Sequence, residues 1–315
     1  MFDELKNLSL DCEIMLLENA RYFDLEADAM MFTESSDSLL VKIKKTVSSF
    51  IEKIVEIIEN FVDMILTKIK QAIIRVSLKN QLEEVKKAYV NQKLEIDRKI
   101  KGKKFQLFDR IKYTREINKA IDLTTKIIAK YDYGIVTKMS KETVKKSLTK
   151  DVEYVEKLIL QTADIKVGDS KYFKAAKDFK EIIDSATNVD EDTNSAIKKM
   201  KDIHKTVCGN IKKSVNSAKD VDVAEIYNYA EYRSLINKFS LFMKKAMYSL
   251  GHFALYTISL IGSAAGSLNI LSGITNKNPG KIGKGAAYGA AGIIINEIDN
   301  TYVKPKADNL KKVKI

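Results

Sequence analysis

No proline occurs in the first 278 residues of the chain; only Pro279 and Pro305 interrupt its 315 residues. Proline removes a backbone donor and clashes with the preceding helical turn, so its absence over this length permits helices of many turns. Glycine is scarce before about residue 250 and tryptophan is absent. The pattern predicts an all-α fold: a long-helix bundle ending in a small-residue-rich apolar helical segment, with essentially no sheet. The length suffices for one large or two ordinary domains around a substantial core.

The clearest element follows the polar run Ser35-Ser36-Asp37-Ser38, which offers several N-caps. Apolar residues recur at Leu40, Ile43, Val47, Phe50, Ile54, Ile57 and Phe61. A second stripe runs through Ile51, Val55, Ile58, Val62, Ile65, Ile69, Ala72 and Val76. Spacings of three and four put both stripes on one broad face, with Lys44, Lys45, Glu52, Glu56 and Glu59 mostly off it. A face this wide demands partners on two sides, which predicts a central helix of a bundle or an oligomer, or else a helix lying on a membrane.

Charge thickens from Leu82 to about Ile128, with Gly102 as a hinge. Further helices are expected at roughly 104–131, 140–163, 170–186, 190–218 and 222–247, separated by Gly134, Gly168, the Thr187–Asp190 turn and Asp220–Asp222. Nothing repeats at a fixed period, which argues against a solenoid.

Electrostatically the chain is two objects. Residues 1–34 read as an amphipathic helix ending near Met31, and carry nine acidic residues against Lys6 and Arg21, a net −7. Taking −7 from the whole chain's +12 leaves +19 on residues 35–315. Of 54 cationic residues only six are arginine. Lysine attracts phosphates diffusely, without the bidentate fork that reads base edges, so the surface suits non-specific DNA or anionic lipid, or is simply a solvated face. Cys12 and Cys208 are too few for a disulfide framework and read as free thiols of a reducing compartment. The acidic N-terminus lacks the basic and apolar regions of a secretory signal.

Composition changes again after Lys245. The next 31 residues hold no Asp, Glu, Lys or Arg, a length that could cross a bilayer as a helix. Gly262 and Gly266 fall in this run at small-xxx-small spacing. Its Ser, Gly, Thr and Asn content and His252 dilute its hydrophobicity, which leaves a buried core helix or an oligomer contact as the competing reading of 246–274. A shorter small-residue run, 285–295, and a basic tail with Lys304, Lys306, Lys311, Lys312 and Lys314 close the sequence. The organisation expected is thus an acidic helix over 1–34, a basic bundle over 35–245 and an apolar segment with basic tail over 246–315.

No motif carries catalysis. His204 and Cys208 sit i, i+4 on one helix face, but His252 and Cys12 are the only other residues of their kinds, too few to complete a three- or four-ligand metal site. Gly280-Lys281-Ile282-Gly283-Lys284-Gly285 lacks the glycine spacing and the Ser or Thr of a phosphate loop and follows no expected strand. Neither histidine lies in a nucleophile motif. A non-enzymatic protein without catalytic residues or cofactor is expected.

Met31-Phe32-Thr33-Glu34 followed by Ser35 is similar to the sites cut by prohead proteases of T-even-like tailed bacteriophages, which cleave after Glu with an apolar residue two positions upstream and a small residue next. Phe32 stands where Leu or Ile is usual. An acidic helix ahead of a lysine-rich helical body also resembles the propeptide layout of phage internal head proteins. The resemblance covers residues 1–35. It implies a virion-internal protein cut between Glu34 and Ser35, found in the capsid interior and the host cytoplasm, with capsid or scaffold proteins or further copies as partners and DNA or a membrane as possible surfaces. A helical pore-forming or membrane-remodelling protein, and a cytoplasmic scaffold or adaptor, are the competing readings.

Overall fold

A computed structural model of the chain describes residues 36–76, 78–100, 106–162 and 171–275, together with Gly280. Among the described residues there are nine helices: α1 Ser36–Val76, α2 Leu78–Ile100, α3 Arg110–Ala129, α4 Tyr133–Val136, α5 Lys141–Thr162, α6 Phe179–Thr187, α7 Val189–Ser217, α8 Val221–Asn228 and α9 Ala230–Thr275. The fold is all-α, with two three-residue strands among the described residues, β1 Gln106–Phe108 and β2 Phe173–Ala175.

The bundle is organised around α9. This 46-residue helix packs against α1, α2, α3, α5, α6, α7 and α8, and against β1. From Leu235 to Ile261 it is apolar around most of its circumference, with Leu235, Ile236, Phe239, Phe242, Met243, Ala246, Met247 and Ile258 fully enclosed. A helix without a polar face needs a complete shell, and the amphipathic helices supply it. Its serines and threonines cost little there because they bond back to the helix itself: Ser249 Oγ donates to Lys245 O at 3.0 Å and Thr257 Oγ1 to Phe253 O at 2.8 Å. Gly251 marks a close approach to α1, since a Cβ there would lie 3.1 Å from Ile65 Cγ2.

The broad face of α1 is core, as its two stripes require. Ile43, Val47, Phe50, Ile51, Ile54, Ile57, Ile58, Phe61, Val62, Ile65 and Ile69 are all buried, and the partners on two sides are α9 and α7. The polar margin of α1 meets α7 in a ladder. Lys44 Nζ donates to Asn216 O at 3.0 Å, Lys212 pairs with Glu52, Lys205 Nζ with Glu59 Oε1 at 3.2 Å, and Lys201 Nζ with Asp63 Oδ1 at 3.4 Å. Numbers rise along α1 as they fall along α7, so the two run antiparallel. Each exposed rung contributes at most about 1 kcal/mol. The ladder sets register, and the apolar stripes supply the stability.

Three expectations needed correction. The helix expected at 170–186 begins only at Phe179, because Phe173–Ala175 is a strand. The helix expected at 104–131 begins only at Arg110, because Gln106–Phe108 pairs antiparallel with Phe173–Ala175, and Asp109 N donates to Tyr172 O at 2.7 Å. Asp109 then caps α3 by accepting from Lys112 N at 3.0 Å. This ribbon seats an aromatic cluster at α9: the Phe108 ring stacks on Phe253 with centroids 3.3 Å apart, and Phe173 meets Phe253 and Tyr256 edge-on. The expected helix 222–247 is broken at Tyr229, where ψ reaches 140°. Its second part continues without interruption to Thr275, so the compositional change after Lys245 falls in mid-helix. Asp220 caps α8 by accepting from Val223 N at 2.8 Å.

Phe61 lies in the seam between α1 and α9, 5% exposed, its ring centroid 4.4 Å from that of Tyr248. Phe61→Ala is expected to lower the unfolding free energy by about 3–5 kcal/mol, read from chemical denaturation. A Phe61→Asp chain that stays soluble and fully stable would contradict the placement of this stripe in the core.

Candidate functional site

Cations enter the core on α9. Arg233, Lys238, Lys244 and Lys245 are all under 9% exposed. Lys238 Nζ reaches outward to Glu156 Oε2 of α5 at 3.1 Å, and Lys244 Nζ lies 5.2 Å above the centroid of the Phe61 ring. The aliphatic stems are buried while the charged heads find a carboxylate or an aromatic face. These contacts hold α9 in place.

Among the other buried polar groups is His204 of α7. Its Nε2 is 2.8 Å from Ser240 Oγ, its ring lies parallel to Phe239 at 5.6 Å, and Cys208 Sγ is 3.7 Å from Nε2. Burial pushes the imidazole down to about 4, against a smaller opposing pull from Glu59. Burial likewise pushes the Cys208 thiol up to about 12. At neutral pH the imidazole is uncharged and the thiol protonated, the opposite of an activated Cys–His pair. Among the described residues no group of three or more His, Cys, Asp or Glu could hold a metal ion. Both side chains are buried on α7, with His204 against Ser240 and Phe239 of α9.

The concave surface lies between α3 and α7. These helices run parallel: Arg110 at the start of α3 pairs with Asp192 near the start of α7, and past the end of α3 the first residue of α4, Tyr133, donates its N–H to Ser214 Oγ near the end of α7 at 3.3 Å. Between the ties the helices stand apart and leave a groove of about 900 Å³. Its floor is apolar, with Ile121 and Met200 buried and Ile203 half-buried, while Ile111 is 74% exposed at its rim. Thr125 Oγ1 is shielded from water in its wall and lacks a hydrogen-bond partner. Arg115, Lys119 and Lys199 line it without a carboxylate partner among the described residues, whereas the lining acids Asp122 and Asp192 are already paired with Lys126 and Arg110. A smaller cavity of about 320 Å³ adjoins it and shares Arg110, Ile111 and Asp192.

The sequence-derived candidates fall elsewhere. Phe32, Thr33, Glu34 and Ser35, and Lys304, Lys306, Lys311, Lys312 and Lys314, lie outside the described residues. Gly262 and Gly266 are buried positions four apart on α9. The membrane-spanning reading of 246–274 is corrected: among the described residues no helix is long and apolar enough to cross a membrane. The polar Ser, Thr and His residues that keep α9 below that threshold sit inside the bundle, enclosed by the amphipathic helices up to Ile261. The groove was not visible in the sequence, because it depends on the spacing of two helices about eighty residues apart. The one local hint was Ile111, an apolar residue on the polar side of α3. The chain matches no protein-family model, no characterised protein and no solved structure.

The buried imidazole has a pH signature. Unfolded, His204 takes up its proton near 6.5; folded, it resists until about 4. Its contribution to stability is complete above pH 6.5 and is lost as pH falls from 6.5 to 4. Wild-type protein should lose on the order of 3 kcal/mol across that window beyond what His204→Gln loses, measured by urea unfolding at several pH values. Parallel pH profiles for the two chains would contradict the buried neutral imidazole.

Proposed function

We propose that this chain is a non-enzymatic internal head protein of a tailed bacteriophage, matured by removal of residues 1–34 and carried with, or ejected alongside, the DNA. The observation that carries the reading is the position of the Glu34–Ser35 bond. It lies at the charge boundary, and α1 begins one residue later at Ser36, so a cut there spares every described helix. A protease needs an accessible, extended substrate, and a polar junction ahead of a long helix supplies one.

The chemistry is that of counter-charge. Before cutting, the acidic segment partly neutralises the body and offers a surface to scaffold or capsid proteins. Afterwards a +19 body screens phosphates inside the head. Exposed lysines such as Lys145, Lys146, Lys150 and Lys157 on α5 and Lys198, Lys205 and Lys213 on α7 present this charge over several faces. Diffuse lysine charge favours DNA of any sequence, with affinity that falls steeply as salt rises.

Intact-mass and N-terminal analysis of protein from its native particle should find a chain beginning at Ser35, and Glu34→Gln should block the cut. The cut chain should bind unrelated duplexes more tightly than the uncut one, with the difference shrinking in high salt. Recovery from mature particles with residues 1–34 attached would overturn the processing step, and absence from particles would overturn the virion reading. An intact chain that released dye from anionic liposomes would favour the membrane-active alternative, for which the uncharged, enclosed part of α9 is the supporting observation.

A further inference from the structure

Two hollows meet at the Arg110 end of α3. The groove between α3 and α7 and the smaller cavity beside it share Arg110, Ile111 and Asp192 as wall residues. The smaller cavity reaches the apolar interior at Leu107, Leu250, Phe253 and Ala254, each no more than 3% exposed. The volumes, about 320 and about 900 Å³, fall in the range of small-molecule sites. Ile111 stands on the shared wall, largely exposed, and carries apolar surface from one hollow to the other.

Charge changes sign along this path. Around the small cavity Asp109 caps α3, Asp192 pairs with Arg110 and Glu181 with Lys174, and exposed Asp184 has no cationic partner among the described residues. In the groove the excess is positive, because Arg115, Lys119 and Lys199 have no carboxylate partner among the described residues and the neighbouring Asp122 is paired with Lys126. Asp192 follows its partner Arg110 by 82 residues and Ser214 follows Tyr133 by 81, so positions about 82 apart are level across the groove. Lys199 therefore stands level with a point between Arg115 and Lys119, which are about 6 Å apart along α3. We propose that the two hollows together bind a single-chain anionic amphiphile, a long-chain carboxylate, with its tail in the small cavity and its head among Arg115, Lys119 and Lys199.

The direction of the ligand follows from the physics of its two ends. Each methylene moved from water against Leu107, Leu250 and Phe253, or over Ile111, is favourable. A carboxylate placed there instead would lose its water without gaining a partner, and Asp184 would repel it. Pairs between a carboxylate and exposed cations are individually weak, so the tail supplies most of the affinity while the cations fix direction and select against a cationic head. No aromatic ring lines the groove, which therefore lacks the stacking platform that single-stranded nucleic acid uses. Such a site operates whether or not residues 1–34 are removed.

Isothermal titration of the full-length chain with laurate, kept below its micelle concentration, should show saturable uptake of a single laurate per chain. Dodecyltrimethylammonium, with the same tail and the opposite charge, should bind more weakly. Affinity for laurate should fall about tenfold when Arg115→Gln, Lys119→Gln and Lys199→Gln are combined, the loss expected of three weak surface pairs. It should not change when Lys146→Gln, Lys150→Gln and Lys157→Gln are combined, which removes the same charge from exposed positions on α5. Ser185→Trp, at a half-exposed position on the cavity wall, should fill the cavity and abolish uptake with the unfolding transition still cooperative. If that variant does not fold, Ile111→Ser at its exposed position makes the same test and should weaken uptake. Equal losses in the two triple variants, equal binding of dodecyltrimethylammonium, or undiminished uptake by folded Ser185→Trp and Ile111→Ser would overturn the proposal. So would an absence of saturable laurate uptake, and cosedimentation with vesicles of anionic diacyl phospholipid in that case would make the groove a membrane-facing surface instead.

Discussion

Enclosure of α9 is the constraint on which the rest of the structure depends. A helix buried on nearly all sides from Leu235 to Ile261 cannot be exposed to water without a large hydrophobic cost, since each fully buried Leu, Ile, Phe or Met contributes about 1.5–3 kcal/mol. The neighbouring helices are shaped by this requirement. α1 brings a two-stripe face, the β1–β2 ribbon brings aromatic side chains to Phe253 and Tyr256, and Glu156 of α5 meets α9 at the buried Lys238. Even the close approach at Gly251 serves the seam with α1. The surface ladder between α1 and α7 then selects one antiparallel register among several that would bury the same stripes.

Much of this was legible in sequence because local rules and tertiary packing agree. The α1 stripes at spacings of three and four could only be a helix with a wide buried face, and Ile54, Ile58, Phe61 and Ile65 lie in the core. Asp220 capping α8 likewise follows from residue type. What was not legible depends on distant partners. Phe105-Gln106-Leu107-Phe108 reads as well in a helix as in a strand until Tyr172 and Phe173 arrive to pair with it. The break at Tyr229 carries no Gly or Pro signal. It is fixed by tertiary bonds such as Tyr227 Oη to Tyr131 O, 3.1 Å. The uncharged stretch after Lys245 was ambiguous between bilayer and core because both environments select apolar residues. Enclosure by amphipathic helices decides for the core.

The candidate site was the least legible part. The motif-like features of the sequence, His204 with Cys208 and the spaced glycines of α9, are packing features whose groups are buried and, for the histidine and thiol, uncharged at neutral pH. The concave surface came instead from α3 and α7, held by the Arg110–Asp192 pair at one end and, beyond the end of α3, by the bond from Tyr133 of α4 to Ser214. The groove between them carries Arg115, Lys119 and Lys199, which have no carboxylate partner among the described residues.

Native-state hydrogen exchange tests the enclosure of α9 most directly. Backbone amides between Leu235 and Ile261 should exchange more slowly than any others, at the rate set by global unfolding, with those of α2 and the exposed turns of α5 opening first. The contradicting result is exchange of these α9 amides through a sub-global opening while α1 and α7 remain protected, which would make α9 a peripheral element of the bundle.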